Sequence, residues 1–186
     1  MLIETSRLFI RLPDGSEKDI DMFFTLWNSA VVMEYVGFPQ GLGISRDEVI
    51  KKIDSSNLCE FDRPLVVEMK EAYQPIGEAK MSTPDENGIA RTDIKLMPYY
   101  WGQGFGKEIQ HALVDYIFSS TSAIAVEATP NQRNIASCKV QEAVGAECIG
   151  ESIYHFPENM RSITADVPYF IYRLYRRNWE LIKENQ

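Results

Sequence analysis

The sequence predicts one mixed α/β domain whose central sheet is mostly antiparallel and is flanked by helices. Three strand-like segments follow one another with short turns between them, which is typical of an antiparallel meander. A periodic helix then leads into a short, almost wholly apolar segment, and this order predicts a crossover between two parallel strands. A length of 186 residues fits a single domain over residues 1–186.

The first part of the chain is predicted to form one strand and two helices. Residues 2–12 have the composition of a strand and end at the turn sequence Pro-Asp-Gly. Ser16 is a candidate N-cap for a helix with apolar residues at helical spacing. Ser45 and Glu48 have the spacing of a capping box, so a second helix is expected to begin there.

The remaining elements follow from periodicity and turn signals. Alternation in the third meander strand places Ile94 and Leu96 on one face and Asp93 and Lys95 on the other. Gly145 is placed to end a helix. The last two strands are expected to form a hairpin, followed by a helical tail that frays. The predicted strands are 64–70, 74–82, 88–97, 122–129, 147–156 and 167–176, and the predicted helices are 105–118, 133–145 and 178–185.

Composition argues against several classes of function. The net charge of −8, without a block of Lys or Arg, argues against a nucleic-acid partner, and it either favours cationic partners or serves only solubility. No apolar run is long enough to span a membrane, and the first residues lack the pattern of an export signal. Three scattered cysteines and two histidines form no recognisable disulfide framework or metal site. We therefore expect a cytoplasmic protein without a metal and without a membrane or nucleic-acid partner.

Glycines alternate at Gly102, Gly104 and Gly106, directly before the periodic helix. A dinucleotide fingerprint does not fit, because Lys107 stands at its last glycine position, and a Walker loop does not fit, because Glu108 stands at its Ser/Thr position. Backbone amides at the positive end of a helix would instead form a cradle for a phosphate. A tight turn that binds no ligand is the alternative interpretation.

These segments resemble a known family. Residues 98–118 resemble the pyrophosphate loop and following helix of the GNAT superfamily of acyl-CoA N-acyltransferases. Trp101 stands where that loop usually has Arg or Gln, which is typical of the branch that resembles the RimJ and RimL ribosomal-protein N-terminal acetyltransferases. Residues 4–11 and 130–146 resemble the first strand and the N-x-x-S helix of that branch. The resemblance implies a GNAT-like fold with a splayed pair of parallel strands.

The resemblance also implies acetyl-CoA as the cosubstrate, bound where the parallel strands splay apart. Its pantetheine arm would pair with backbone groups at the end of the third meander strand, and its pyrophosphate would lie on the loop amides. Asn134, at the matching position of the helix motif, would hydrogen-bond the arm or else serve only at the helix N-terminus. The implied cofactor-binding residues are Leu96, Met97, Trp101, Gly102, Gln103, Gly104, Phe105, Gly106, Lys107 and Asn134.

Acetyl transfer to nitrogen needs a base, because an ammonium group has no lone pair to attack the thioester, and amines have usual pKa values of about 8 to 10. Asp93 is the first candidate, since it lies on the strand that leads to the cofactor. Glu127 is the second, since desolvation in an apolar strand would make it more basic. Asp93 could instead simply pair with Arg91 or Lys95, and Glu127 could lie at an exposed strand end. Ser137 is the candidate acid for the leaving thiolate, because Gln141 stands where many family members have Tyr.

The leading hypothesis is an N-acetyltransferase that transfers the acetyl group directly to a protein N-terminus or a small-molecule amine. Cys138 is not favoured as an acetyl carrier, because no His lies near it in the sequence. Residues 35–43 are the predicted acceptor loop, as the resemblance implies. A non-catalytic acyl-CoA sensor is the alternative, since a fold does not by itself imply activity. We expect a monomer or a homodimer.

Overall fold

The computed structural model describes residues 2–53 and 59–184. They form one eight-stranded sheet in the order β1-β2-β3-β4-β5-β6-β8-β7. The strands are β1 (Leu2–Glu4), β2 (Leu8–Arg11), β3 (Leu65–Met69), β4 (Gln74–Met81), β5 (Ile89–Leu96), β6 (Ala125–Ala128), β7 (Glu147–Tyr154) and β8 (Val167–Tyr175). The helices are α1 (Glu17–Asn28), α2 (Ala30–Met33), α3 (Arg46–Ile53), α4 (Phe105–Ser120), α5 (Ile135–Ala143) and α6 (Arg176–Glu184). None of the helices within these residues has the length and apolar character needed to cross a membrane.

Neighbouring strands are antiparallel throughout the sheet except for β5 and β6, which are parallel. The predicted meander, parallel pair and final hairpin are therefore confirmed. The parallel pairing covers only residues 89–91 of β5 and 125–127 of β6. Because β5 continues beside β4 to Leu96, the two parallel strands separate toward their carboxyl ends.

Helices cover both faces of the sheet. On one face lies α4, whose Ile109 and Leu113 are fully buried. On the other face α1, α2 and α3 form a second apolar cluster that includes Phe23. The end of β5 alternates between these layers, since Leu96 belongs to the α4 core and Met97 packs against the α1 cluster. The predicted assignment of faces along this strand is correct.

Both predicted helix starts in the first part of the chain are confirmed. The Ser16 hydroxyl accepts a hydrogen bond from the backbone amide of Asp19 and caps α1. At α3, the Ser45 amide donates to the Glu48 carboxylate while the Glu48 amide donates to the Ser45 hydroxyl. These are local interactions within one turn, which is why the sequence alone identifies them.

The prediction for the first strand is wrong. The single strand predicted over residues 2–12 is a pair of antiparallel strands, because the chain turns at residues 5–7. The helix predicted over 178–185 is described as far as Glu184, and Trp179, which is 2% exposed, packs its first part within the α4 core, while residue 185 lies outside the described residues. Arg176 anchors this helix further by donating to backbone carbonyls at and just beyond the end of α4.

A buried ion triad joins β2, β3 and α1. Arg11 donates to both carboxylate oxygens of Asp19 at 2.8 Å and to Glu68 at 2.7 Å. Asp19 is fully buried and Glu68 is nearly so. Burial lowers the pKa of Arg11, but the hydrogen bonds and charges of the two carboxylates outweigh it and hold the pKa above its usual range. The guanidinium therefore stays charged and links the three elements.

Replacing Arg11 with Met is expected to lower the free energy of unfolding by about 3 kcal/mol or more, because Asp19 would become an unpaired buried charge. Urea unfolding measures this loss. Arg46→Met is the matched control, since Arg46 also pairs with two carboxylates of α1, but at the surface. Its unfolding midpoint should stay close to that of the wild type. Equal midpoints for Arg11→Met and the wild type would contradict the role given to the triad.

Candidate active site

Some backbone groups of β5 face the cleft between β5 and β6 and form hydrogen bonds with neither β4 nor β6. The amide of Met97 donates to the carbonyl of Ile76 at 2.9 Å. Because bonding alternates along an antiparallel strand, the amides and carbonyls of Ile94 and Leu96 face away from β4 and into the cleft. The pairing with β6 has already ended at this level. The Leu96 amide is therefore directed into the cleft, whereas the Met97 amide, the other predicted partner of the arm, is used within the sheet.

Trp101 fixes the end of β5. Its indole N–H donates to the carbonyl of Leu96 at 2.7 Å, although the residue as a whole is 43% exposed. This bond occupies the carbonyl and leaves the amide of the same residue available. The indole thus holds the strand end from which the glycine loop departs, a contact that the sequence did not suggest.

The loop between β5 and α4 presents a row of backbone amides. Gly102 and Gly104 have φ values of +73° and +81°, in the left-handed region that glycine favours. The first intrahelical bond of α4 runs from the Glu108 amide to the Gly104 carbonyl, so the amides of residues 105–107 have no acceptor within the helix. These amides lie at the positive end of the helix dipole and form a cradle suited to an anion.

Gly106 has a different role from the two glycines before it. Its φ lies outside the left-handed region, but a Cβ at this position would lie 3.1 Å from Cγ2 of Val140 on α5. Most real Cβ contacts are longer, so glycine allows α4 and α5 to approach closely. The sequence indicated only a phosphate cradle or a tight turn for these glycines, and the structure adds this packing reason for Gly106.

The side chains of the loop have separate surroundings. Phe105 is 4% exposed and belongs to the α4 core. The Gln103 carboxamide donates to the carbonyl of Tyr99 at 2.8 Å. Lys107 is exposed and carries its charge in the first turn of the helix. An anion in the cradle would therefore be held mainly by backbone, with the Lys107 ammonium on the same helix turn.

Glu108, also in the first turn of α4, is held by the turn between β1 and β2. Its Oε1 accepts from Thr5 Oγ1 at 2.5 Å, Ser6 Oγ at 2.9 Å and the Arg7 amide at 2.9 Å, and its Oε2 accepts from Arg7 Nε at 2.7 Å. Arg7 Nη1 also donates to the carbonyl of Gln103 at 3.0 Å. Sequence analysis missed these residues, because Arg7 and Glu108 are 101 positions apart.

Asn134 and Ser137 lie together at the start of α5. The Asn134 Oδ1 accepts from the backbone amide of Ser137 at 3.0 Å and caps the helix. Within residues 2–53 and 59–184, nothing accepts a hydrogen bond from Asn134 Nδ2, so this group is free to donate to a ligand. Because β5 and β6 are parallel, the starts of α4 and α5 meet at the same end of the sheet. Both roles considered for Asn134 are thus compatible with its position.

Asp93 lies on the face of β5 opposite α4 and pairs with Lys95. Its side chain is 46% exposed. Lys95 Nζ also lies 3.5 Å from Oε2 of the buried Glu78, which accepts from the indole of Trp27 on α1 at 2.8 Å. Burial lowers the pKa of Lys95, but the charges and hydrogen bonds of the two carboxylates outweigh it and raise the pKa. A positive charge therefore lies permanently beside Asp93.

Glu127 is 6% exposed and is bound by two arginines. Its Oε2 accepts from Arg173 at 2.7 Å, and its Oε1 lies 3.5 Å from Arg91. The carboxylate is desolvated, as the sequence suggested, but its charge is compensated. Asp93 is the more accessible of the two candidate bases. No group of three or more His, Cys, Asp or Glu within the described part of the chain could hold a metal ion.

The predicted acceptor loop, residues 35–43, lies against the loop that joins β7 and β8. The amide of Ala165 donates to the carbonyl of Gly37 at 2.8 Å. The rings of Phe38 and Phe156 meet edge to face with centroids 5.2 Å apart. Because Phe38 also packs against the α1 cluster, both loops border the face of the sheet that carries the candidate bases.

The sequence matches the acetyltransferase (GNAT) domain family over residues 7–147. A relative from Bacillus licheniformis, "Uncharacterized N-acetyltransferase p20", is 28% identical over 138 residues, which cover 73% of this chain and 76% of the relative. These matches define the class of the protein as an acetyl-transferring enzyme. The chain belongs to the GNAT acetyltransferase domain family.

Solved structures share the fold over almost the whole chain. A GNAT-family acetyltransferase from Bacillus anthracis has a TM-score of 0.76 at 18% identity, covering 95% of this chain and 99% of that one. A Vibrio cholerae protein proposed to be a ribosomal-protein-serine acetyltransferase has a TM-score of 0.73 at 18% identity, with 94% and 97% covered. AAC(6')-Ib in complex with ribostamycin and coenzyme A has a TM-score of 0.70 at 19% identity, with 93% and 96% covered. The predicted GNAT fold is therefore confirmed.

The hydrogen bonds to Glu108 make a pH-dependent contribution to stability. Desolvation raises the pKa of Glu108, but the hydrogen bonds from Thr5, Arg7 and Ser6 outweigh it and lower the pKa from its usual 4.5 to about 2. Because the pKa is lowered in the folded state, the contribution is complete above pH 4.5 and is lost as the pH falls toward 2.

We expect Glu108→Gln to lower the free energy of unfolding at pH 7 by roughly 1–3 kcal/mol, and the difference from wild type to narrow as the pH falls below 4.5. Urea titrations between pH 7 and pH 3 measure this. Glu158→Gln, at an exposed carboxylate, is the control. A difference that stays constant over this pH range would show that the charge of Glu108 contributes nothing.

Proposed function

We propose that this protein is an N-acetyltransferase that transfers the acetyl group of acetyl-CoA to a primary amine by direct attack on the thioester. The observation that carries the proposal is the free edge of β5 beside the amide cradle at the start of α4. The strand edge suits an extended arm that contains amide groups, and the cradle suits a pyrophosphate. The pantetheine arm and the pyrophosphate of CoA have these two kinds of group.

Acetyl-CoA as the cosubstrate is supported by the related AAC(6')-Ib structures, which were solved with coenzyme A and with acetyl-CoA. In this chain the Leu96 amide would pair with the pantetheine arm, and Asn134 Nδ2 would donate to it from α5. The amides of Gly104 and residues 105–107 would bind the pyrophosphate. The remaining predicted residues, Met97, Trp101, Gly102 and Gln103, would shape the backbone around these groups.

Asp93 is the proposed general base. Its carboxylate is half exposed and could take the proton of the acceptor ammonium directly or through a water, while Lys95 holds it in place. The Ile94 amide, which also faces the cleft, would donate to the thioester carbonyl, where negative charge develops during attack. Ser137, at the start of α5, would protonate the leaving thiolate. Glu127 is the second candidate base, and its two ion pairs favour a structural role.

Two classes of acceptor fit this site. The proposed identity of the Vibrio cholerae structure, together with Trp101, supports a RimJ/RimL-type enzyme that modifies a protein N-terminus in the cytoplasm. The ribostamycin complex of AAC(6')-Ib and the net charge of −8 support a small cationic amine.

Incubation with acetyl-CoA and a panel of N-terminal peptides, polyamines and aminoglycosides tests the proposal, with release of the CoA thiol as the readout. Acceptor-dependent release with one class of amine is the expected result, and mass spectrometry of the product locates the acetyl group. Tight CoA binding without acceptor-dependent release across the panel would instead identify an acyl-CoA-binding module.

With an acceptor in hand, Asp93→Asn is expected to lower kcat by about 100-fold, because the amine then loses its proton acceptor. The affinity for CoA should stay within two-fold of the wild type. Glu127→Gln weakens the pairing of Arg173 and Arg91, so we expect lower stability and a much smaller loss of kcat. Steady-state kinetics and thermal unfolding of both variants separate these effects. Wild-type kcat in both variants would show that neither carboxylate is the base.

A further inference from the structure

We propose that Arg7 is a positioning residue for the cofactor, an inference that rests on CoA binding as part of the proposed function. Arg7 fixes the peptide between Gln103 and Gly104 so that the Gly104 amide faces the pyrophosphate, and it neutralises Glu108 beside the same site. Arg7 lies in the turn between β1 and β2, far in sequence from the loop that it holds.

Arg7 sets the orientation of one peptide group in the loop. In a trans peptide the carbonyl and the following N–H point in opposite directions. Arg7 Nη1 donates to the Gln103 carbonyl at 3.0 Å, which turns the Gly104 amide away from the arginine. Gly102 and Gly104, both with positive φ, flank this segment, and glycine has more than one accessible backbone conformation. The arginine therefore selects one orientation in a segment that its own residues leave free to rotate.

Arg7 also compensates the negative charge of Glu108. Glu108 lies in the first turn of α4, where its carboxylate would repel a pyrophosphate bound at the helix start. Arg7 Nε binds Oε2 of Glu108 at 2.7 Å and cancels this charge. Thr5 and Ser6 hydrogen-bond the other oxygen and direct the carboxylate toward the β1–β2 turn.

A further contact holds the guanidinium of Arg7 in place. Its Cζ lies 4.1 Å from the centroid of the Phe105 ring, so the group is held by a cation–π contact as well as by hydrogen bonds. Among the residues that the structure describes, Nη2 has no hydrogen-bond partner, and it lies 3.6 Å from the position of a Cβ on Gly104. A lysine could supply the charge, but one ammonium cannot reproduce the fixed fork that reaches Gln103 and Glu108 together.

Calorimetric titration of Arg7→Met, Arg7→Lys and the wild type with CoA and with S-acetylpantetheine tests the proposal. S-Acetylpantetheine carries the same arm without the phosphates. We expect Arg7→Met to raise the Kd for CoA at least ten-fold and to change the Kd for S-acetylpantetheine less than two-fold. Arg7→Lys should recover part of the loss. Lys70→Met is the matched control, because Lys70 is a cation on the same surface that pairs with Glu4.

An unchanged Kd for CoA in Arg7→Met, or an equal loss for both ligands, would overturn the proposal. Thermal unfolding establishes that each variant is folded, and the ratio of the two affinities is measured on one sample. Turnover is not needed for this test. A wild type that binds CoA but acetylates no amine would therefore overturn the proposed function and leave this inference in place.

The charge contribution is tested separately by adding Glu108→Gln to Arg7→Met. Because the repelling carboxylate is removed, the double variant should bind CoA at least two-fold more tightly than Arg7→Met alone. No recovery would overturn the charge-neutralising part of the proposal.

Discussion

The early end of the pairing between β5 and β6 is the constraint on which the site depends. Backbone amides and carbonyls need hydrogen-bond partners, and a central strand normally finds them on both sides. Here the parallel register stops at Arg91 while β5 continues to Leu96. The α4 core continues beneath this gap, so the strands separate without opening the apolar interior. An extended ligand with its own amide groups can complete the sheet at this edge, as an added strand does.

The same topology brings two helix starts together. Since β5 and β6 are parallel, the helices that follow them begin at one end of the sheet, and Gly106 allows close contact between these helices. The positive ends of both helix dipoles therefore lie near the mouth of the cleft. The negative charge of Glu108 opposes this positive potential. The turn at residues 5–7 compensates that charge by donating four hydrogen bonds to the Glu108 carboxylate. The proposed phosphate end of the site is thus built from three separate parts of the chain.

The sequence was sufficient wherever the determining interaction is local. Neighbouring residues determine the capping by Ser16, the capping box of Ser45 and Glu48, and the alternation of β5. They also determine the glycine conformations and free amides of the loop between β5 and α4. Contacts between distant residues were not predictable. The strand predicted over residues 2–12 fails partly for this reason: its turn contains no Gly, Pro or Asn, and Glu108 on another element holds it in addition to the local hydrogen bonds between Thr5 and Leu8. The ion pairs of Glu127 were hidden in the same way.

Different parts of the site lie on different sides of β5, and this separation bears on the mechanism. The residues proposed to bind CoA lie at the strand edge and at the helix starts, whereas Asp93, Lys95 and the loops proposed to bind the acceptor belong to the α1 face. In the proposed mechanism an amine would reach the thioester from the α1 face while CoA is held from the other side, so both substrates would be bound at once. Cys138 does not belong to this face. It is 6% exposed on α5, and burial, followed by the nearby charge of Glu142, raises the pKa of its thiol. A thiol that is buried and protonated cannot carry an acetyl group between the two sides, so the geometry favours direct transfer.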